Sequence, residues 1–179
     1  MSQDKSASRE PDPFFDAVGR VTVAGTAMDA SLHNLLSAVA LEPTLIMYTN
    51  AANTSQLIEL CRLALTVGTV TSEDVTEIEA CLKRADALRI RRNDIVHSLH
   101  MWEEAGDGIE AMKPIRKNLG YKTTPITIEA MRALAEEIHT LRGEIFRVGW
   151  NANAGRMPGM GGLIPPQDTE KGSETTGNT

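Results

Sequence analysis

The stretch SEDVTEIEACLKRADALRIRRNDIVH, residues 72–97, decides the fold class of this chain. Its apolar residues recur every three or four positions, as they do on one face of an amphipathic α-helix. That face comprises Val75, Ile78, Leu82, Ala85 and Leu88. Arg92 and Val96 continue the same face. The stretch therefore predicts a long helix with one buried face that ends in a run of polar and charged residues.

Three more segments carry helical patterns. Asp12 followed by Pro13 predicts the start of a helix of about 28 residues that ends before Pro43. The small residues 24–27 of this helix predict a close crossing by another helix. Residues 55–67 predict a mostly apolar second helix. Thr71 or Ser72 is the predicted cap of the third helix. Thr127 is the predicted cap of a fourth helix, whose apolar face extends to Val148.

Residues 98–126, before the last helix, lose the helical period. HSLHMW and IEAMKPIRK predict two short extended segments around the turn EEAGDG. Pro114 predicts that the second segment lies at a sheet edge or forms a loop, and NLGYKTTP is predicted as loop. The predicted fold is therefore all-α, a four- to five-helix up-and-down bundle with a loop or short hairpin insert before the last long helix.

The two ends of the chain are polar and differ in composition from the middle. We predict a disordered arm over residues 1–12, a helical bundle over 13–150 and a disordered Gly/Pro-rich tail over 151–179. The amino terminus lacks the apolar segment of a secretory signal, and no apolar run approaches the ~20 residues of a membrane span. We therefore expect a cytoplasmic protein, with Cys61 and Cys81 as buried free thiols.

Basic residues cluster locally although the chain has a net charge of −6 and a pI near 5.2. These values argue against a protein that coats nucleic acid indiscriminately. Two clusters of cations are present: Lys83, Arg84, Arg89, Arg91 and Arg92 near the end of the third helix, and Lys113, Arg116, Lys117 and Lys122 in the insert. If the insert folds back, they form one face that can bind phosphate. The alternative is solvated side chains favoured by the helix dipole.

The end of the third helix, RNDIVH, places Arg92 on an apolar face, where a cation needs a partner or a route to solvent. Asn93 and His97 are four residues apart and share a helix face, so the amide can orient the imidazole. Arg92 and His97 lie about 140° apart around the helix. They can act on one small ligand only if two copies of the helix meet across a twofold axis.

With its arginine, following asparagine and histidine, this segment resembles the Rx4–6H motif, often RNxxxH, of the HEPN superfamily. The resemblance covers roughly residues 13–150. It implies a metal-independent endoribonuclease without a cofactor, acting on RNA at a homodimer interface as a toxin or phage-defence effector, with an antitoxin or another protein as a possible partner. His97 would be the acid/base, Arg92 the phosphate clamp and Asn93 the orienter or a second phosphate contact. The residues expected to bind RNA are Lys83, Arg84, Arg89, Arg91, Lys113, Arg116 and Lys117.

Other interpretations of the same residues stay open. The family also contains non-catalytic members that bind nucleotides or partner proteins. In a plain interaction bundle, Arg92 and His97 would only complete a helix end. Asp29 is either a solvated aspartate or a buried partner of Arg92. A metal site would use Asp94, His97 and His100 with Glu103 or Glu104, but no further ligand cluster accompanies them.

Overall fold

The computed structural model describes residues 12–102, 108–115, 119–157 and 159–166. The helices are α1 (Pro13–Ala40), α2 (Leu45–Tyr48), α3 (Thr54–Val67), α4 (Ser72–Val96) and α5 (Ile128–Ala154), and the strands between α4 and α5 are β1 (Leu99–Trp102), β2 (Ile109–Pro114) and β3 (Tyr121–Ile126). The predicted helical bundle is therefore present, but the all-α class needs correction because the insert forms a small sheet.

The helices begin where the sequence places their caps. The side chains of Asp12, Thr71 and Thr127 each accept a backbone N–H from the first turn of α1, α4 and α5. The side chain of Asn53 does the same for α3 and forms a capping box with Gln56. These bonds satisfy backbone donors that have no partner within the helix.

The long helices α1 and α5 pack side by side in the same direction. Near their starts, the carboxylate of Asp16 lies 3.7 Å from the guanidinium of Arg132. Near their ends, the guanidinium of Arg156 donates a 2.9 Å hydrogen bond to the carbonyl of Val39. Two contacts of this kind at opposite ends of the helices require a parallel pair.

Helix α4 runs in the opposite direction to α5, because its last turns contact the first turns of α5. Arg91 pairs with Glu137, whereas Glu77, near the start of α4, accepts a 2.7 Å hydrogen bond from Arg147. Charged pairs therefore join the two helices along most of their length.

Helix α3 runs in the same direction as α1. Thr54, at its start, donates a 2.6 Å hydrogen bond to Asp29, and the thiol of Cys61 donates to the carbonyl of Leu32 at 3.6 Å. The helices α1, α3 and α5 are thus parallel to one another and antiparallel to α4. The predicted up-and-down order is wrong for the first two long helices.

The segment between α1 and α3 turns back along α1 and so causes this difference. Leu41 ends α1 in the left-handed conformation, with φ of 55°. The two ring nitrogens of His33 each lie 2.9 Å from a carbonyl oxygen, that of Asp29 and that of Thr49. The return brings residue 54 beside the middle of α1, and α3 runs from there towards the end of α1.

The hydrophobic core lies between α1, α3, α4 and α5 and contains the predicted apolar faces. Burial of each large apolar side chain contributes about 1.5–3 kcal/mol to folding before entropy is counted. Both cysteines are buried free thiols, and burial raises the pKa of Cys61 to about 12 and that of Cys81 to about 11. The largest fully buried side chains are Met28, Leu32, Leu35, Leu57, Ile58, Ile78, Leu82, Met131, Leu134, Ile138, Leu141 and Ile145.

The insert is a three-stranded antiparallel sheet in the order β1-β2-β3. The two predicted extended segments are β1 and β2, but the segment predicted as loop forms β3, so the insert is more than a hairpin. Strand β2 lies in the middle, and Pro114 fits there because it is the last residue of the strand. Pro125 lies in β3, an edge strand, where the missing N–H is tolerated.

The end of the chain also differs from its prediction. Helix α5 continues to Ala154, whereas the tail was expected to begin at 151. The side chain of Asn151 accepts a 2.8 Å hydrogen bond from the N–H of Ile164 and donates a 3.0 Å hydrogen bond to its carbonyl. The indole N–H of Trp150 donates to the carbonyl of Gly162. Polar side chains on the last turns of α5 therefore hold residues 162–164. The predicted arm before residue 12 and the tail after residue 166 lie outside the described residues.

Candidate functional site

Arg92 is held inside the chain by groups from two other helices. Its guanidinium donates a 2.8 Å hydrogen bond to the hydroxyl of Thr54, which in turn donates to Asp29 at 2.6 Å. The same guanidinium nitrogen lies 3.8 Å from the second carboxylate oxygen of Asp29. The Arg92 side chain is 17% exposed and Thr54 is 3% exposed. Of the two interpretations of Asp29, the pair with Arg92 is therefore the one that is present, with the carboxylate partly exposed.

Gly25 on α1 leaves room for the stem of Arg92. A Cβ atom at this position would lie 3.2 Å from Nε of Arg92 and 3.4 Å from its Cγ and Cδ atoms. The small residues of α1 were expected to admit a neighbouring helix closely, and at Gly25 the group that approaches is the side chain of Arg92. Nε of Arg92 is buried and makes no hydrogen bond within the part of the chain that the structure describes.

His97 lies at the end of α4 and takes no part in the contacts that hold Arg92. Its backbone N–H donates to the carbonyl of Asn93 at 3.1 Å, and its side chain is exposed. Among residues 12–102, 108–115, 119–157 and 159–166, no hydrogen bond links the side chains of Asn93 and His97 to each other or to Arg92. The structure of one chain thus does not bring the three predicted catalytic residues together, and their catalytic role stays a prediction.

Most of the predicted RNA-binding cations pair with carboxylates of the same chain. Arg91 makes two hydrogen bonds to Glu137, at 2.5 and 2.9 Å, which raises the pKa of Arg91 and lowers that of Glu137. Arg84 pairs with Glu144, Arg89 with Asp86 and Lys113 with Asp94. Lys83 is exposed, and Arg116 and Lys117 lie outside the described residues. Glu137 and Glu144 of α5 and Asp86 and Asp94 of α4 therefore neutralise four of the seven cations that were expected to bind RNA.

The insert does fold back onto α4, as the basic-face hypothesis required. Between α4, the sheet and the start of α5 lies a cleft of about 250 Å³. Buried apolar side chains form its floor, and Arg91, Lys113 and Lys122 are the cations that line it. Lys122 was recognised as part of a cation cluster but not as a site residue, because its place depends on the pairing of β3, which the sequence did not reveal. The lining residues are Arg91, Asp94, Ile95, Ser98, Ala111, Lys113, Lys122, Thr124, Pro125, Ile126, Ala130 and Leu134.

His100 on β1 is partly buried against Phe14, with the ring centroids 5.1 Å apart in an edge-to-face arrangement. Its Nε2 atom is buried and has no hydrogen-bond partner within the described ranges, and burial lowers the pKa of the imidazole. The alternative metal site is not formed by the residues that can be seen, since no group of three His, Cys, Asp or Glu among them could hold a metal ion. Glu103 and Glu104 lie outside the described residues.

We expect His100 to make the protein less stable in mild acid. The folded-state pKa is lowered from 6.5, so the unfolded chain binds the proton more readily. The contribution of neutral His100 to the free energy of unfolding is complete above about pH 6.5 and is lost as the pH falls through the folded-state pKa. Urea unfolding at pH 7.5 and 5.5 measures this loss, which should be smaller in His100→Gln. His139→Gln, at an exposed histidine, is the control, and equal losses in all three proteins would contradict the expectation.

Comparison with known proteins adds no assignment: no family model, curated protein or solved structure matches the chain. Within the described ranges, none of the helices is both long enough and apolar enough to cross a membrane.

Proposed function

We propose that this protein is a non-catalytic helical binding module of HEPN-like type, located in the cytoplasm. The observation that carries the proposal is the position of Arg92, whose guanidinium bonds Thr54 and pairs with Asp29 of the same chain. A phosphate clamp needs a guanidinium that is free to contact the phosphoryl oxygens as charge develops on them. In this protein the same group completes the packing of three helices.

The energetic cost of releasing Arg92 supports this proposal. A hydrogen bond to a charged group contributes about 1.5–3 kcal/mol, and a partner left buried without it is destabilised. Release would leave Thr54, which is 3% exposed, without its donor and would leave Asp29 without its cation. RNA binding would have to supply this free energy before any contribution to catalysis.

The second candidate is a metal-independent endoribonuclease that acts on RNA at a homodimer interface. His97 favours it, because the imidazole is exposed and makes no hydrogen bond within the described part of the chain. A solvent-exposed imidazole can both accept and donate a proton, which is the chemistry that an acid/base role needs. A role as a toxin or phage-defence effector, with an antitoxin as partner, belongs to this candidate.

Incubation with RNA separates the two candidates. Purified protein, His97→Ala and Arg92→Lys are incubated with total RNA in the presence of EDTA, after circular dichroism has shown that the variants are folded. The binding module predicts that no RNA is cleaved above the level of a mock-purified sample in any of the three. Cleavage by the unmodified chain that His97→Ala loses would overturn the proposal and establish the nuclease.

A further inference from the structure

Two lysines face each other across the sheet beside the cleft. Lys113 on β2 and Lys122 on β3 are partners in the antiparallel register, and both line the cleft. Directly opposed side chains of neighbouring strands lie close together, and like charges in this position are destabilising. Such a pair is unexpected in a chain with a net charge of −6 unless an anion offsets it.

Only one of the two lysines has an anionic partner in the described part of the chain. Lys113 lies 2.7 Å from Asp94, while Lys122 makes no ion pair there. Arg91, the third cation of the cleft, is already bonded to Glu137. The lining therefore contains three cations and one carboxylate, and the charge without a partner is that of Lys122.

The floor of the cleft is apolar and buried. Ile95 of α4, Ala111 of β2 and Leu134 of α5 meet there, and Pro125 and Ile126 of β3 close the side. Pockets for drug-sized ligands have volumes of about 300–1,000 Å³. At about 250 Å³, this cleft suits a smaller molecule with an apolar body.

The two helix ends at the cleft have opposite polarity. Ala130 lies in the first turn of α5, where the dipole favours an anion, while Ser98 follows the end of α4, where the dipole opposes one. Their effects act against each other, so the lysine side chains decide the preference of the cleft for negative charge.

From these observations we propose that the cleft binds a small organic anion, a phosphate monoester or carboxylate on an apolar body. The anion lies between Lys113 and Lys122, and the apolar body covers Ile95 and Leu134. Asp94 lies beside Lys113 and competes with the ligand anion for that lysine. This assignment rests on the proposed binding function and names the ligand class and the site.

Calorimetric titration with three probes tests the ligand class. Phenyl phosphate is expected to bind at least about tenfold more tightly than inorganic phosphate, since the aromatic ring buries the apolar floor. Benzoate tests the carboxylate form of the same chemistry, and the tighter of the two aromatic anions identifies the natural head group. Equal affinity for phenyl phosphate and inorganic phosphate, or no binding of either aromatic anion, would overturn the assignment.

Matched lysine variants test the site. Lys122→Gln is expected to weaken binding of phenyl phosphate about tenfold, because it removes a charge-assisted contact. Lys83→Gln, which changes an exposed lysine outside the cleft, should leave the affinity unchanged. Asp94→Asn should strengthen binding, since the competing carboxylate is removed. Equal losses in the two lysine variants would place the anion elsewhere and overturn the proposal.

A polymeric ligand gives a different result in the same experiment. If single-stranded RNA of ten nucleotides binds more tightly than adenosine monophosphate and Lys122→Gln removes the difference, the small-ligand assignment is overturned in favour of RNA. RNA cleavage is measured separately through His97, so failure of this inference and failure of the non-catalytic proposal remain distinguishable.

Discussion

Replacement of Asp29 by alanine is expected to lower the free energy of unfolding by about 2–4 kcal/mol. The carboxylate accepts a hydrogen bond from Thr54 and lies 3.8 Å from Arg92, so its loss leaves a largely buried guanidinium without an anion. Loss of one member of a fully buried pair costs about 3–5 kcal/mol. The Asp29 side chain is 29% exposed, and solvent therefore reduces the expected cost.

Urea unfolding of Asp29→Ala and Asp29→Asn measures this contribution. The asparagine variant keeps an acceptor for Thr54 and should lose less stability than the alanine variant. Asp94→Ala, which removes a carboxylate from a more exposed pair, should change stability by no more than about 1 kcal/mol.

A double-mutant cycle then shows whether the loss comes from the pair itself. Arg92→Met together with Asp29→Ala should cost less than the sum of the single changes, because no charge is then left buried alone. Additive costs, or an Asp29→Ala variant as stable as Asp94→Ala, would show that Arg92 is not held by Asp29 in solution.

Replacement of Arg156 by methionine is the second change with a large expected effect, a loss of about 2–3 kcal/mol. The guanidinium follows α5 and donates to the carbonyls of Val39 and Ala38 at the end of α1, at 2.9 and 2.5 Å, and to Ala152 at 2.7 Å. The last carbonyls of a helix have no partner within it, so Arg156, which follows the end of α5, caps α1. Burial lowers the pKa of Arg156, as expected for a partly desolvated cation.

Thermal and urea unfolding of Arg156→Met can be compared with Arg142→Met. Arg142 lies on α5 and makes no hydrogen bond or ion pair within the described residues, so its replacement should have little effect on stability. Arg156→Lys should lie between the two because it keeps one donor but not the forked geometry of the guanidinium. If Arg156→Met is as stable as Arg142→Met, the cap on α1 does not contribute to folding.

The sequence was most informative where structure depends on neighbouring residues. The capping side chains of Asp12, Thr71 and Thr127 and the apolar periodicity between them predicted the long helices, and all three caps are present. Caps and amphipathic faces involve residues a few positions apart, so their signals can be read directly along the chain.

Sequence patterns failed where structure depends on distant pairing. Strand β3 has few apolar residues and contains Pro125, and it forms because β2 lies beside it. The reversal after α1, which makes α3 parallel to α1, likewise depends on a contact between His33 and Thr49. Neither partner has a local signal, so a loop and an up-and-down order were the natural predictions.

In the candidate site, too, one part could be predicted from neighbouring residues and another part depends on distant pairing. The sequence by itself identified RNDIVH as the end of a buried helix face and indicated that Arg92 needs a partner. Only the tertiary structure decided that this partner is formed by Asp29 and Thr54, which lie 63 and 38 residues away along the chain. It also placed Lys122 opposite Lys113. The physical reason is that the need of a buried charge for a partner is a local property, whereas the identity of that partner depends on how the helices and strands pack.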